Sequence, residues 1–421
     1  MKFYNSTVSK KIIESLIIIF PIALLFSNIL AEAIIILLIF SYLKETNFKN
    51  FISDLKHPII IFILIFWLYL ILNAVINFDN KPSLERTIFF IRFPLLILSL
   101  NYFVNFLDLN LKKIFRFWLI IFFLIGFDLF IQYFTNTNIL GFEAIEQGSI
   151  YRLGGFMNDE LKISNLLYHF GALIFSFYFS KNKSNLISFL FIVFITISIF
   201  LTAERANFIT MISFIFLLII YLVFKNKKTF FLYFVIFSLF LSIGFLTNNS
   251  LSKRMINDLA NKIELLKFDK DENFLKKDSH YFAHYSVAYQ IFERNPLFGI
   301  GLKNFRNFCD DDSLNEKVHE KWQKRKCSTH PHNFYFEMLS EIGSVGFLII
   351  ISFFIFSFYT FFDSYKKNKD TFLLLNCFII LIYFIPFLPK GSFFSNWNAM
   401  IFWFVFSFIF SIYNKSLNEK S

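Results

Sequence analysis

Two histidines lie where a polar segment of the chain meets an apolar one. They stand in the run His330-Pro331-His332-Asn333, and the apolar residues 347–362 follow soon after it. Imidazole takes or gives a proton near neutral pH, so either histidine is a candidate for acid–base chemistry. Pro331 fits the first turn of a helix, which predicts a helix that begins just beyond it. The run therefore predicts a proton-transfer group at the edge of a membrane span.

The predicted helix carries two acids and two glycines at helical spacing. Glu337 and Glu341 are four residues apart and share one face. Gly343 and Gly346 leave out side chains three residues apart, which allows another helix to approach closely.

Arginines stand at two other boundaries of apolar segments. Arg205 follows Glu204 at the start of a predicted span, where a cation beside hydrocarbon is usually paired or functional. The alternatives are a salt bridge to Glu204 or snorkelling towards lipid headgroups. Arg152 precedes Gly154 and Gly155, which allow tight turns that could aim a guanidinium at an anion. The position of Arg152 alone favours an ordinary solvated loop arginine.

A second pair of histidines lies in the long polar segment before residue 333. His280 and His284 are spaced i, i+4 on an amphipathic stretch. They could bind a metal ion or an anionic substrate, or they could form an exposed pair with no ligand.

Two cysteines occupy the same polar segment. Cys309 and Cys327 predict a disulfide, since this segment is expected to face an oxidising compartment. A zinc site built from Cys327, His330 and His332, with or without Cys309, is the weaker alternative.

The composition is that of a polytopic membrane protein. Of the 421 residues, 56% are hydrophobic and 22% are aromatic, and the mean hydropathy is +0.58. Basic residues flank membrane spans on the cytoplasmic side, so the net charge of +11 favours membrane topology over nucleic-acid binding. The sequence contains no phosphate-loop, dinucleotide-binding or HExxH motif, so ATP-driven chemistry is not indicated.

Apolar runs of roughly 20 residues predict about twelve transmembrane helices. Lysines fall in nearly every connection that is cytoplasmic if the N-terminus is inside, which favours an even number of spans with both termini inside. The predicted fold is all-α, a single membrane domain over residues 1–421. The predicted spans are 12–26, 29–43, 58–76, 84–104, 113–134, 164–180, 185–202, 206–224, 229–247, 335–362, 371–388 and 395–413.

Two connections predicted on the outside are long. Residues 135–164 form the first loop, and residues 248–333 form a larger loop before the last three spans. The larger loop is predicted as a polar insert without a core of its own, with short helices over 251–268 and 279–293. It could roof a cavity between the helices, because unpaired backbone is costly in lipid.

Together these motifs resemble the O-antigen ligase and polymerase superfamily of membrane glycosyltransferases. The most specific element is His332-Asn333, then nine residues, then Gly343-x-x-Gly346. The span layout and the large loop also fit. The other similar elements are Pro296-Leu-Phe-Gly-Ile-Gly301 followed by Phe305, Thr202-Ala-Glu-Arg205, and Arg152 with the glycines after it.

The resemblance implies a bacterial inner-membrane enzyme whose site faces the periplasm. Such proteins take a glycan from an undecaprenyl-diphosphate carrier. A ligase passes it to a lipid A-core acceptor, and a polymerase passes it to another lipid-linked glycan. The implied partners are this donor, the acceptor and membrane lipids. The energy lies in the glycosyl–diphosphate bond, so no cofactor or metal is implied, and a one-step displacement would invert the anomeric centre.

The resemblance also implies roles for individual residues. His332 would be the general base for the acceptor hydroxyl, and Arg205 would hold the departing diphosphate. Relatives carry serine where this chain has Glu204, and many carry a second arginine on the amphipathic stretch before Pro296. The further substrate-binding residues expected here are Arg152, Asn333, His280, His284 and Arg306.

A transporter or flippase is the alternative from another class. It would place polar groups near the membrane midplane, with broken helices and repeated halves. Arg92, with Pro94 close by in the fourth predicted span, is the feature that keeps this alternative open.

Overall fold

The described chain is mostly helical. The computed structural model describes residues 6–78, 82–147, 150–181, 186–225, 251, 254–255, 276–386 and 388–418. One antiparallel hairpin, β1 (Ile145–Gln147) and β2 (Ile150–Arg152), lies in the first long connection. The all-α prediction misses this hairpin, because three-residue strands are too short to show a period of two.

The helices before residue 226 follow the predicted spans closely. Pro58–Ile76 matches its predicted span at both ends and carries Pro58 in its first turn, as expected for proline. These helices are α1 (Ser6–Phe26), α2 (Asn28–Glu45), α3 (Phe48–Leu55), α4 (Pro58–Ile76), α5 (Pro82–Phe89), α6 (Arg92–Asn105), α7 (Leu111–Thr135), α8 (Ile163–Lys181), α9 (Leu186–Leu201) and α10 (Arg205–Lys225).

Two predicted spans differ from the observed helices, and a third, 229–247, lies outside the described residues. The fourth is divided between α5 and α6. The span predicted over 371–388 ends at Tyr383, because Pro386 disfavours helix in the residues before it. The helices after residue 276 are α11 (His280–Arg294), α12 (Phe305–Phe308), α13 (Phe334–Asn368), α14 (Thr371–Tyr383) and α15 (Asn396–Asn418).

Several of these helices are suited to cross a membrane. Within the described ranges, six helices are long and apolar enough to do so, and α9 and α14 are apolar but shorter. The chain is therefore a multi-pass membrane protein, whereas the number of about twelve spans stays a prediction. The six are Pro58–Ile76, Leu111–Thr135, Arg205–Lys225, Phe334–Asn368, Asn396–Asn418 and, when α5 and α6 are taken together across their break, Ser83–Asn105.

The last helix, α15, is the centre of the bundle. Its residues from Trp397 to Ser411 are almost all buried. Trp403 contacts Phe93 of α6 with ring centroids 5.9 Å apart and Phe353 of α13 at 5.8 Å. Close packing of such rings supplies the dispersion energy that holds helices together where lipid weakens the hydrophobic effect.

Arg92 lies at the break between α5 and α6, and its charge is neutralised inside the protein. Its Nε lies 2.6 Å from Oε1 of Glu32 on α2, and its Nη2 donates to Oδ1 of Asn396 at 2.8 Å. The two charged side chains are only 12% and 23% exposed. The ion pair with Glu32 gives Arg92 a structural role. Arg92 therefore no longer favours the transporter alternative.

The N-terminal helix, the turn before α7 and the end of α15 meet at one end of the bundle. Lys415 Nζ lies 2.7 Å from Asp108 Oδ1, and Lys10 donates to the Asp108 carbonyl. Lys113 pairs with Glu14 at 2.6 Å. The connections predicted to share the cytoplasmic side therefore lie together, as the lysine pattern requires.

Helix α13 is broken at Gly343, and the break is filled by residues 296–301. Gly343 has φ +67° and ψ −176°. The amides of Ile300 and Gly301 donate to the carbonyls of Ser340 and Glu341 at 3.0 and 2.9 Å, and the Ser344 amide donates to the Pro296 carbonyl at 2.8 Å. Non-helical backbone at membrane depth needs such partners from the protein itself.

Helix α4 supports the break from the other side. The Tyr69 hydroxyl donates to the Ile342 carbonyl at 2.5 Å, and Asn73 Nδ2 donates to the Phe298 carbonyl at 2.5 Å. A Cβ at Gly346 would lie 2.4 Å from the Tyr69 ring, so this glycine admits a neighbouring helix as predicted. Gly343 instead faces the backbone of residues 296–301. The prediction that another helix approaches at Gly343 is therefore wrong.

A buried polar network joins the large loop to α13 and to the segment before α15. Lys303 Nζ lies 3.6 Å from Glu337 Oε1, and both side chains are at most 2% exposed. Ser392 contacts both groups, and the Phe393 amide donates to Glu337 Oε2 at 2.9 Å. Glu341 Oε2 accepts from the Lys303 amide at 2.7 Å. Glu337 and Glu341 thus share a face, as predicted, and that face holds the loop.

The large loop has a small core of its own, which the prediction of a polar insert missed. Ala283, Val287 and Ile291 of α11 share a buried cluster with residues that follow in the loop, separate from the core of the bundle. These apolar residues are scattered over 283–318 without one period, so periodicity could not reveal them. The loop members of the cluster are Ile300, Phe305, Cys309, Leu314 and Val318.

The break in α13 predicts a large cost for a side chain at Gly343. A Cβ there would lie 2.2 Å from the Leu297 carbonyl oxygen, in addition to the strain of positive φ. Gly141 is the matched control, since it has φ +84° but open space around its Cβ position. We expect Gly141→Ala to cost about 1 kcal/mol of unfolding free energy and Gly343→Ala clearly more. Thermal unfolding in detergent would measure both, and equal losses would contradict the docked break.

Candidate active site

His332 is held in an unusual backbone conformation just before α13. Its φ is +58°, and its carbonyl accepts from the Lys390 amide at 2.8 Å. Asn333 caps the helix, because its side-chain oxygen accepts from the amides of Tyr335 and Phe336 at 2.9 and 3.3 Å. The predicted helix start is confirmed at Phe334. The cap occupies the side-chain oxygen of Asn333. It thereby fixes the backbone directly after His332.

Four histidines gather around this point. The His332 ring centroid lies 4.1 Å from that of His330 and 5.4 Å from that of His284. His280 lies one turn before His284 on α11, with their ring centroids 6.1 Å apart. The i, i+4 pair predicted on the amphipathic stretch therefore extends the cluster of His330 and His332.

The cysteines of the loop are joined to each other. Cys309 and Cys327 form a disulfide, with their Cα atoms 5.0 Å apart. Neither sulfur is therefore available as a thiolate ligand for the alternative zinc site. Among the residues that the structure describes, no three His, Cys, Asp or Glu side chains form a group able to hold a metal ion.

His332 and His330 are held in the neutral form. Burial, together with the neighbouring His330, His284 and His280, lowers the pKa of His332 to about 3. Burial likewise lowers the pKa of His330 to about 4. Ser328 Oγ lies 3.0 Å from His332 Nε2 and is a hydrogen-bond partner for that nitrogen. At neutral pH the cluster therefore offers unprotonated imidazole, the form that accepts a proton.

Arg152 lies at the end of β2 within a group of arginines. It forms an ion pair with Glu204, and its Nη1 donates to Gln147 at 3.0 Å. Burial, with smaller contributions from the positive charges of Arg254 and Arg205, lowers the pKa of Arg152 to about 10. Arg254 and Arg205 therefore lie within electrostatic reach of Arg152.

The turn between α9 and α10 brings the other two arginines to the same place. Ala203 has φ +58°, and its carbonyl accepts from Arg254 Nε at 3.2 Å. Arg205 is the first residue of α10, directly after this turn. Next to Glu204, the turn thus holds Arg254 through the Ala203 carbonyl and begins α10 with Arg205.

The end of α7 fixes the loop that carries Arg152. Gln132 Oε1 accepts from the Gly155 amide at 2.9 Å, and Asp128 accepts from the Ile139 amide at 3.0 Å. A Cβ at Gly154 would overlap the Asn158 carbonyl, so the tight turn predicted there needs glycine.

Tyr281 connects the arginines to the histidines. Its ring centroid lies 5.7 Å from that of His332 in an edge-on arrangement. Its phenol also raises the pKa of Arg152, which places it within electrostatic reach of that guanidinium. Tyr281 therefore lies beside His332 and within electrostatic reach of Arg152.

The central segment of the chain matches one family. Residues 189–351 match the family model described as O-Antigen ligase. This segment is similar to the O-antigen ligase family. The match spans Arg205, the large loop, His332 and both glycines of the α13 break, while Arg152 precedes it. Among curated proteins, none matches the chain.

The candidate site includes residues without a recognisable pattern in the sequence. Arg254 was not selected, because a lone arginine among many charged loop residues gives no periodic or spacing signal. Its charge lowers the pKa of Arg152, so Arg254 lies within electrostatic reach of that guanidinium. Arg306 is exposed and acts electrostatically on His330.

Lys390 is the other residue that was missed. Besides its amide contact with His332, its carbonyl lies 3.3 Å from His330 Nε2. Its Nζ donates to the Tyr383 carbonyl at 2.6 Å, at the end of α14. Burial lowers the pKa of Lys390 to about 7. Lys390 therefore links His330 and His332 to the C-terminal end of α14.

The lowered histidine pKa values predict acid sensitivity of the fold. Unfolded histidine binds a proton near pH 6.5, whereas folded His332 does so only near pH 3, so the unfolded state binds more protons between these values. Stability should therefore fall as the pH drops from 6.5 towards 3. We expect the unfolding temperature to fall by several degrees between pH 7 and pH 5.

A variant with His330→Gln and His332→Gln should show a shallower fall. Thermal unfolding of both proteins across this pH range would measure the difference. The same slope in wild type and variant would show that these imidazoles are not held neutral by burial.

Proposed function

We propose that the protein transfers a glycan from undecaprenyl diphosphate to a lipid A-core acceptor. The observation that carries this proposal is the position of Tyr281, whose ring centroid lies 5.7 Å from that of unprotonated His332 and whose phenol is within electrostatic reach of Arg152. The match to the O-antigen ligase family supports a lipid-linked glycan as the substrate class.

The proposed reaction needs a cation for the leaving group and a base for the acceptor. Arg205 and Arg152 hold the donor diphosphate, since guanidinium donates two parallel hydrogen bonds to phosphate oxygens. The acceptor oxygen bonds to the anomeric carbon as the carbon–oxygen bond to the diphosphate breaks. The hydroxyl proton passes to the imidazole of His332, and the electron pair of the broken bond leaves with the diphosphate. This single displacement inverts the anomeric centre.

Donor binding also improves the base. A pKa near 3 makes resting His332 a weak proton acceptor. A diphosphate brings negative charge close to the imidazoles, which favours their protonated form and raises the pKa of His332. The pKa of His332 therefore approaches the range that suits general base catalysis only when the donor is bound.

We place the site on the periplasmic side of the bacterial inner membrane. The lysine-rich end of the bundle is the cytoplasmic one by the positive-inside rule. A disulfide between Cys309 and Cys327 suits the oxidising periplasm. The glycan would then be transferred without ATP, which that compartment lacks.

Lipopolysaccharide gels of a deletion strain test the reaction. Wild-type protein should restore long glycan on the core, whereas His332→Ala and Arg205→Ala should lower transfer at least ~100-fold. Lys324→Ala, a change at an exposed position of the same loop, is the control. The amount of each variant in the membrane is measured in parallel. Full activity of either site variant at normal abundance would contradict the proposed roles.

The same gels separate ligase from polymerase. In the deletion strain, loss of all long glycan with accumulation of lipid-linked polymer indicates the ligase. A single repeat unit still attached to the core indicates an O-antigen polymerase that extends lipid-linked glycan instead.

Glu204 predicts an effect on donor affinity. Its carboxylate forms an ion pair with Arg152, with side chains 20% and 14% exposed, so it competes with a bound diphosphate for that guanidinium. Glu204→Gln should bind pyrophosphate about 5-fold more tightly, equivalent to ~1 kcal/mol. Titration calorimetry of the purified protein measures this affinity.

The control for Glu204 is another acid of the same region. Glu160→Gln removes an exposed carboxylate that pairs with Lys162 and should leave pyrophosphate binding unchanged. Weaker binding by Glu204→Gln than by wild type would mean that Glu204 organises the arginines and does not compete with the ligand.

A further inference from the structure

A second charged pocket lies at the opposite end of the bundle from His332. It has a volume of about 450 Å³ and is formed where several helix ends meet. The N-terminal helix, the turn before α7, the end of α8, the start of α14 and the end of α15 all contribute. Its charged lining residues are Lys10, Lys112, Lys181, Lys415, Asp108 and Asp370.

The pocket has an excess of positive charge. Four lysines face two aspartates, and both carboxylates already have partners. Asp108 pairs with Lys415 at 2.7 Å. Asp370 caps α14, since its Oδ1 accepts from the Phe372 amide at 2.9 Å. The pocket is therefore suited to an anionic group of one or two charges.

Part of the pocket lining is apolar. Phe177 and Phe372 line it, and both rings are almost fully buried. A neighbouring depression of about 420 Å³ shares Asn110 and Lys112 with the pocket and continues along α7. There Arg116 adds another cation, and Phe117 and Ile120 are 44% and 47% exposed.

This combination distinguishes a lipid from a soluble anion. A free phosphate ion needs cations and hydrogen-bond donors but gains nothing from an apolar wall. An amphiphile with an anionic head satisfies both surfaces at once, since its chains cover exposed apolar side chains of a helix that faces the bilayer.

We propose that this pocket binds the phosphate of an anionic phospholipid, with its chains along Phe117 and Ile120 of α7. The lysines that the topology places at this end would then bind a specific lipid as well as orient the chain. This site is separate from the proposed glycan transfer, and it stands if that function is wrong.

Lipid-dependent thermal unfolding of the purified full-length chain tests the proposal. Phosphatidylglycerol added to neutral detergent should raise the unfolding temperature by at least ~2 °C, whereas phosphatidylcholine should not. A variant with Lys112→Gln and Lys181→Gln should lose this shift. A variant with Lys366→Gln and Lys367→Gln is the control, because these lysines lie at the same end but do not line the pocket.

Each outcome decides the matter. A shift lost in the first variant and kept in the control supports the pocket. Equal loss in both variants, or a shift kept in the first, would mean that general surface charge is responsible and overturns the proposal. Inorganic phosphate at the same concentration is a further arm, and an equal shift with phosphate alone would overturn the assignment to lipid.

Native mass spectrometry covers the case in which the first variant is less stable for other reasons. Wild type and the control variant should each retain bound phosphatidylglycerol, and the Lys112/Lys181 variant should retain at least several-fold less. Equal retention by all three proteins would overturn the pocket as the binding site.

Discussion

The break of α13 at Gly343 is the constraint on which the site depends. A helix interrupted at membrane depth leaves carbonyl and amide groups that lipid cannot satisfy, at a cost of several kcal/mol for each group. Residues 296–301 supply those partners through the amides of Ile300 and Gly301 and the carbonyl of Pro296. The large loop is therefore bound to the membrane domain through its backbone, about three helical turns from His332.

The buried ion pair of Lys303 and Glu337 extends this constraint to the segment before α15. Each charge is almost inaccessible to water, so removing one partner would leave the other uncompensated and destabilise the fold strongly. Glu337 also accepts from the Phe393 amide, which fixes the segment that contains Lys390. Lys390 in turn holds the backbone of His332. The position of the imidazole is thus set by backbone and charge contacts from three separate parts of the chain.

The sequence predicted well those features that depend on local pattern. Apolar runs located Pro58–Ile76 at both ends, and the His332-Asn333 motif with its glycines indicated the family that the central segment matches. The breaks in α13 and between α5 and α6 were missed, because their hydrogen-bond partners lie far away in the chain. Arg92 shows the same limit, since its partner Glu32 is 60 residues away and no periodicity relates the two.

The candidate site was predicted in part for the same reason. His332, Arg205 and Arg152 stand in short motifs, whereas Arg254, Tyr281 and Lys390 gain their places only through tertiary contacts. His280, His284 and Arg306 stay predicted substrate-binding residues, and the fold adds Arg254 within electrostatic reach of Arg152. A residue without a local signature becomes a candidate only when its neighbours in space are known.

The central claim is that fixed positive charge and an imidazole act on one lipid-linked ligand. Cryo-electron microscopy of the protein in a lipid nanodisc with a bound undecaprenyl-diphosphate glycan would test it most directly. We expect the diphosphate on Arg152 and Arg205, with the first sugar between them and the ring of His332. A diphosphate bound away from these arginines, or a first sugar out of reach of His332 while residues 296–301 remain docked, would contradict the account.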